Sequence, residues 1–251
     1  QKLDVIHAYP LSTYAKNFQA TVEKTFKLDS EFKRIRIDAS SSIKGVLSAN
    51  SDKLVNYPYG CAEQRSSKLF ELNFLVLGGD DSKEAKAKEA DRRRFVEAGI
   101  QDVVNMQKTD GSIGYWNQLG YTNNFASIYS IDMLFTLEKS GFALDSHVKN
   151  KAIDWLRAFG SNDNFQALYA AYVLSTQKKL DRSKLNALYD QKRYQGSALE
   201  GYLMAAILKN EGLNKESEKV LKELNKSTYN REKELADNFG SEIRNKAFML
   251  L

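Results

Sequence analysis

"YPYGCAEQRSSKLFELNFL", residues 57–75, carries the only cysteine of a 251-residue chain, at the point where a turn gives way to a helix. Pro58 disfavours helix before it, and Gly60 tolerates unusual backbone angles. Tyr57-Pro58-Tyr59-Gly60 therefore reads as an extended or turn-like entry, with the helix beginning near Cys61. A thiol there meets unpaired N–H groups and the positive end of the helix dipole, which favour negative charge. Gln64 follows about one helical turn later, so its side-chain carbonyl carbon can come near the sulfur. Attack of the thiolate on that amide, with loss of ammonia, gives an internal thioester. Water destroys such a bond unless it is covered, and Tyr57 and Tyr59 stand where they can cover it. A plainer reading uses the same residues: Cys61 packs as a small hydrophobe and Gln64 is merely solvated. Spacing alone leaves both open.

Outward from this stretch nearly everything after Ile43 has helical periodicity. "IKGVLSANSDKLVNY" runs up to Pro58, and "CAEQRSSKLFELNFLVL" stops at Gly78-Gly79. "DSKEAKAKEADRRRFVEAGIQDVVNMQ" opens on Asp81 or Ser82 as an N-cap and ends before Thr109-Asp110-Gly111. Further runs are "NNFASIYSIDMLFTLEKS", "SHVKNKAIDWLRAF", "DNFQALYAAYVLST", "DRSKLNALYD", "SALEGYLMAAILKN", "NKESEKVLKELNK" and "GSEIRNKAFMLL". Short linkers rich in Gly, Asn, Asp and Ser make neighbouring helices antiparallel. "YAAYVLSTQKKLDRSKLNALYD" and "YLMAAILKNEGLNKESEKVLKEL" share a plan in which a small-residue, aromatic helix turns into a charged amphipathic one. The first helix of each pair is expected to be buried and the second to face solvent. No strict period is visible, so a ring or superhelix of helix pairs fits better than a regular solenoid.

Residues 1–40 differ. "FQATVEKTFKL" and "EFKRIRIDASSS" alternate apolar and polar residues around a turn-like "LDSE", which is a hairpin signature. The chain opens without a basic segment followed by an apolar one and stops in mid-pattern on "NKAFMLL", so both ends read as cuts within a longer protein. No apolar run approaches the roughly 20 residues that span a bilayer, so no direct membrane span is expected. The net charge of +5 includes the run Arg92-Arg93-Arg94, but its lysines and glutamates are interspersed. A nucleic-acid patch and a solvated helix face laced with ion pairs are the two readings, and the second is preferred. His7 and His147 have no cysteine or paired carboxylates at ligand spacing, so no metal is expected.

"YPYGCAEQ" resembles the thioester motif of the alpha-2-macroglobulin and complement family, particularly of its bacterial members. "MQKTDGSIGYW" resembles a second family signature, and "GSEIRNKAFMLL" a third, so that three ordered matches cover roughly residues 43–251. The resemblance implies a mainly α fold, an α/α toroid cut short at its C-terminal end, spanning residues 41–251. It implies that residues 1–40 are a β segment of a CUB-like flanking domain. It makes Cys61 and Gln64 the thioester partners, in an environment of Tyr57, Tyr59, Gly60, Glu63, Tyr115 and Trp116. Tyr57 is the first choice for the shielding ring and Tyr59 the second.

The implied function is a single-use trap rather than an enzyme. The internal cross-link stands in place of a cofactor and captures attacking proteases through their lysines. The other implied partners are further domains of the full-length protein, and the implied location is the periplasm or cell envelope. Some complement members carry a histidine that assists transfer to hydroxyls, and neither His7 nor His147 falls where that residue is expected. "DGSIGYW" keeps two readings: Tyr115 and Trp116 line the thioester pocket, or Asp110-Gly111 reverses the chain while the aromatics plug the toroid. Two rival functions remain. One is an α/α-toroid enzyme of the terpene cyclase, prenyltransferase or polysaccharide-processing type, which needs acidic or zinc-ligating clusters that the sequence lacks. The other is an inert helical binding module.

Overall fold

Helices of this chain fall into two kinds, and the difference decides how they pack. A computed structural model of the protein describes residues 60–74 and 83–224. Among these residues there are eight helices: α1 (Ala62–Phe74), α2 (Lys83–Val104), α3 (Asn124–Lys139), α4 (Ser146–Ala158), α5 (Asn164–Thr176), α6 (Arg182–Asp190), α7 (Ala198–Asn210) and α8 (Asn214–Leu224). The expected hairpin, the helix before Pro58, Tyr57, Tyr59 and the late "GSEIRNKAFMLL" helix lie outside the described residues.

α3, α5 and α7 are apolar on almost every side. Residues such as Ile128, Ile131 and Leu134 in α3, Leu168, Ala171 and Leu174 in α5, and Leu203, Met204 and Ile207 in α7 are all buried. A helix that is apolar all round can persist only when other helices surround it. α4, α6 and α8 instead bury a single stripe: Ala152, Ile153 and Leu156; Leu185 and Leu188; Ser217 and Val220. Each such aliphatic side chain contributes about 1.5–3 kcal/mol when fully buried.

Packing follows this division. α1 packs on α3, α3 on α5 and α5 on α7, while α2, α4, α6 and α8 cover that inner series from outside. Alternating inner and outer helices are the pattern of an α/α toroid. The buried small-residue helices and the charged outer ones expected from the two paired segments are α5/α6 and α7/α8.

Caps set the boundaries. Asn123, Asp163 and Ser197 accept from backbone N–H groups three residues ahead, at Ala126, Gln166 and Glu200. At the other ends, Gly141, Lys178, Lys192 and Gly212 have positive φ. The residue after each donates back into the last turn, as Phe142 does to Leu137 (3.1 Å) and Leu213 to Leu208 (2.8 Å). These left-handed caps reverse the chain within a few residues, so successive helices run antiparallel. α2 ends at Val104, short of the expected Gln107. Met106 and Gln107 are in a turn instead, and Gln107 forms an isolated antiparallel bridge with Ile113.

The triple arginine is used locally. Arg92 pairs with Glu89 and donates to the Leu72 carbonyl (2.7 Å), tying α2 to α1. Arg94 pairs with Asp91, and the Arg93 guanidinium lies 4.6 Å from the centre of the Phe142 ring. Only Arg94 keeps to the solvated face expected of the run, and the ion pairs fall at i,i+3; Arg92, its side chain 10% exposed, is tucked against α1.

Candidate functional site

Cys61 is the residue immediately before α1, and its carbonyl accepts the first helical bond, from Arg65 N–H (3.0 Å). That makes it the N-cap. An N-cap leaves its own N–H without a helical partner. Here the Cys61 N–H donates to Oε1 of Gln64 at 3.1 Å. Gln64 is the third helical residue, and its carbonyl folds back on the cap as in a capping box. The sole cysteine is buried, only 3% exposed, whereas Gln64 is exposed. Gly60 is held from the other side, its carbonyl accepting from Arg65 Nε (2.9 Å) while the same guanidinium pairs with Asp102 on α2.

The segment after α2 comes to this helix start. Asp110 accepts from both the N–H and the hydroxyl of Ser112, at 2.9 and 2.7 Å, closing the turn. Gly111 has φ +94, and a Cβ there would lie 2.0 Å from the Lys151 carbonyl oxygen, so only glycine fits. Beyond the turn, Gly114 N–H donates to Met106 O (2.9 Å) and Tyr115 N–H to Tyr121 O (2.7 Å). Tyr115 O in turn accepts from Ala62 N–H at 2.8 Å. One of the orphan N–H groups at the start of α1 is thus satisfied by the "DGSIGYW" segment.

Side chains follow the backbone. Burial foremost, with Cys61, Glu63 and Tyr121 as polar neighbours, holds the Tyr115 phenol above the ordinary tyrosine range. Trp116 stacks edge-on against Tyr115 with centroids 5.2 Å apart, yet it is 61% exposed. Asp110 and Gly111 therefore form the structural turn, while the Tyr115 backbone is brought to the start of α1. Trp116 neither plugs a core nor is enclosed.

Glu63 points along α1 and accepts from Ser67 Oγ at 2.8 Å. The Ser67 hydroxyl lies 3.2 Å from that of Tyr129 on α3. Burial raises the Tyr129 hydroxyl to about 12, with Glu63 and Asp132 adding to the shift against the hydrogen bond to Ser67. Ser67 and Tyr129 were not singled out from the sequence. Ser67 could have been, because it lies four residues after Glu63 on one helix face. Tyr129 gave no signal, since only the packing of α1 on α3 brings it there. One layer deeper, Ser66 donates to the Ala62 carbonyl (2.7 Å) and its oxygen lies 2.8 Å from that of Ser130.

His147 is an exposed residue in the first turn of α4, its N–H donating to the Asp145 cap at 2.8 Å, and is not among the residues hydrogen-bonded at the Cys61 turn; His7 lies outside the described residues. Among the described residues there is no group of three or more potential metal ligands, and no helix is long and apolar enough to cross a membrane.

This geometry can be set beside known proteins. No family model matches the chain. Over 207 residues, 76% of the chain, it is 30% identical to an alpha-2-macroglobulin of Rickettsia conorii, of which it covers 11%. The chain is a homologue of the bacterial alpha-2-macroglobulins. It is also 26% identical over 200 residues, 78% of the chain, to thioester-containing protein 1 (allele S3) of Anopheles gambiae, covering 14% of it. Salmonella alpha-2-macroglobulin reacted with methylamine superposes with a TM-score of 0.65 at 24% identity, over 81% of this chain and 14% of that one. Escherichia coli alpha-2-macroglobulin activated by porcine elastase gives 0.62 at 26%, over 77% and 19%. The alpha-2-macroglobulin homologue described here thus spans 11–14% of the length of these two curated relatives.

Proposed function

We propose that this chain is the thioester-bearing domain of a longer, alpha-2-macroglobulin-like protease trap of the bacterial periplasm or cell envelope. The observation that carries the reading is the 3.1 Å hydrogen bond from the Cys61 N–H to Gln64 Oε1. It holds the Gln64 amide carbonyl against the residue that bears a buried thiol, and it donates to the oxygen that gains charge when that carbonyl is attacked.

The chemistry balances in two steps. The Cys61 sulfur adds to the Gln64 side-chain carbonyl carbon, and the C–N bond breaks with loss of ammonia, leaving the thioester. An amine, such as a lysine of an attacking protease, then adds to the same carbon. The C–S bond breaks, its electron pair stays on sulfur, and an amide joins the protease to Gln64. The cross-link is consumed once, so the protein is a trap and not a turnover catalyst. A relative named for its thioester and a homologue solved after reaction with methylamine support this reading. So does a homologue activated by elastase, a protease.

The same hydrogen bond favours one other reading, in which Gln64 only caps α1 and Cys61 is inert. Incubating the full-length protein with a protease decides between them. The trap predicts a conjugate that survives boiling in detergent and reductant and disappears in Cys61→Ala. A conjugate that persists in Cys61→Ala, or no conjugate from an intact parent, removes the proposal.

A further inference from the structure

We propose that Ser127 and Ser130 of α3 are positioning residues for thioester formation: their hydroxyls set the first turn of α1, and with it Cys61, against the Gln64 carbonyl. This rests on the thioester reading above and concerns its first step.

The two serines are out of keeping with their helix. α3 is apolar on almost every side, and alanine at either position would favour the helix more and bury no hydroxyl. Ser66, Ser127 and Ser130 are nevertheless all fully buried. Each serine of α3 bonds a different segment. The Ser130 oxygen lies 2.8 Å from that of Ser66 and 3.3 Å from the Ala62 carbonyl oxygen, which also accepts from Ser66 at 2.7 Å. Ser127, about one turn earlier, accepts from the Ile113 N–H at 2.8 Å. Two residues further along that loop, the Tyr115 carbonyl accepts from Ala62 N–H at 2.8 Å.

These bonds close a circuit from α3 to α1, from α1 to the loop, and from the loop back to α3. Both polar groups of the Ala62 backbone are held in it. The carbonyl is held by Ser130 directly, and the N–H through the segment that Ser127 ties down. Ala62 follows Cys61 in the chain, and the Cys61 N–H donates to Gln64 Oε1 at 3.1 Å. In the step that forms the thioester, sulfur bonds to the Gln64 side-chain carbonyl carbon. The C–N bond breaks, and the nitrogen leaves as ammonia with the thiol proton. A misplacement of about 1 Å at the helix start slows such a step on the order of a hundredfold. The serines act through Ala62 and not on the reacting atoms.

The test compares freshly prepared full-length parent, Ser130→Ala and Ser127→Ala with a control, Ser175→Ala. Ser175 is a buried serine that donates to Tyr172 O at 2.7 Å and accepts from Asn210 at 3.0 Å, linking α5 to the end of α7. Labelled methylamine incorporated per molecule reads the fraction carrying the thioester. Hydrogen exchange by mass spectrometry reads the peptide that contains Ala62. The positioning role predicts that both α3 variants lower incorporation about threefold or more and speed exchange in that peptide about tenfold. Ser175→Ala should do neither. Parental incorporation in both α3 variants overturns the proposal. An equal loss in Ser175→Ala also overturns it, because the effect is then one of general stability. If the parent takes up no methylamine, the thioester reading has failed instead, and exchange alone decides. Selective speeding at the Ala62 peptide then supports the positioning of the helix start, and parental exchange in both α3 variants overturns it. Should Ser130→Ala lose helix content by circular dichroism, Ser127→Ala supplies the comparison.

Discussion

Ala62 N–H donates to the Tyr115 carbonyl at 2.8 Å, so the first turn of α1, next to Cys61, is capped by the loop that follows the Asp110-Gly111 turn. Two segments far apart in the chain are joined at one helix start. That start needs hydrogen-bond acceptors in any case, because its first N–H groups have no helical partners. The fold and the candidate chemistry thus draw on the same few atoms, and substitutions can separate them.

Gln64 is the clearest place to do so. Gln64→Ala removes the acceptor for the Cys61 N–H and should destabilise the protein by about 1 kcal/mol, as loss of a cap does. Gln64→Glu keeps an acceptor at the same reach and should leave stability within about 0.5 kcal/mol of the parent. It should nevertheless abolish methylamine uptake, since a carboxylate offers no ammonia to expel. Urea unfolding and amine labelling, measured on the same samples, check both halves.

Gly111→Ala tests the turn alone. The residue has φ +94, and an added methyl would lie 2.0 Å from the Lys151 carbonyl oxygen. Backbone strain and overpacking should together cost about 2–4 kcal/mol. Thermal unfolding reads it, and a midpoint within a degree of the parent would contradict the close approach.

Asp132 on α3 accepts from the buried Tyr169 hydroxyl at 2.8 Å, and burial lifts its carboxyl to about 6 against the ordinary 3.8. The folded state therefore binds this proton more tightly than the unfolded one. The group's stabilisation is full below about pH 4 and is lost as pH rises through about 6. Asp132→Asn keeps an acceptor for Tyr169 and removes the charge. Its melting temperature should exceed the parent's at pH 7.5, with the gap shrinking toward pH 4. A constant gap across that range would show that Asp132 does not titrate in it.

If the proposed thioester forms, nucleophile preference depends on whether a base reaches its carbon. Transfer to hydroxyls is slow without a base, and an imidazole is the usual one. His147 begins the outer helix α4 and its N–H is held by Asp145. Activated full-length protein should couple labelled amine far better than labelled glycerol, at a rate that rises with pH as more amine is uncharged. Glycerol uptake equal to amine uptake, lost in His147→Ala, would make that residue part of the site.

Much of this was legible in the sequence because helix caps and apolar stripes are local. Asn123, Asp163 and Ser197 mark helix starts by residue type, and the apolar completeness of α5 and α7 marks them as inner helices. Cys61 and Gln64 were legible through their spacing and through the turn residues before them. Three things were less so. The end of α2 was placed too late, because Met106 and Gln107 continue an apolar pattern that the Gln107–Ile113 bridge interrupts. In "DGSIGYW" the turn at Asp110-Gly111 is local and so legible, whereas the 61% exposure of Trp116 depends on tertiary packing. Tyr129 was invisible because its bond to Ser67 depends on the packing of α1 against α3.

The central claim is that Cys61 and Gln64 form a thioester, and the intact mass of freshly purified, non-reduced protein tests it most directly. A mass one ammonia below that of the sequence, which methylamine raises to one CH2 above the sequence mass as Gln64 becomes its N-methyl amide, with one new titratable thiol, is the expected result. A mass equal to that of the sequence, with Cys61 already a free thiol and Gln64 an unmodified amide, would contradict it.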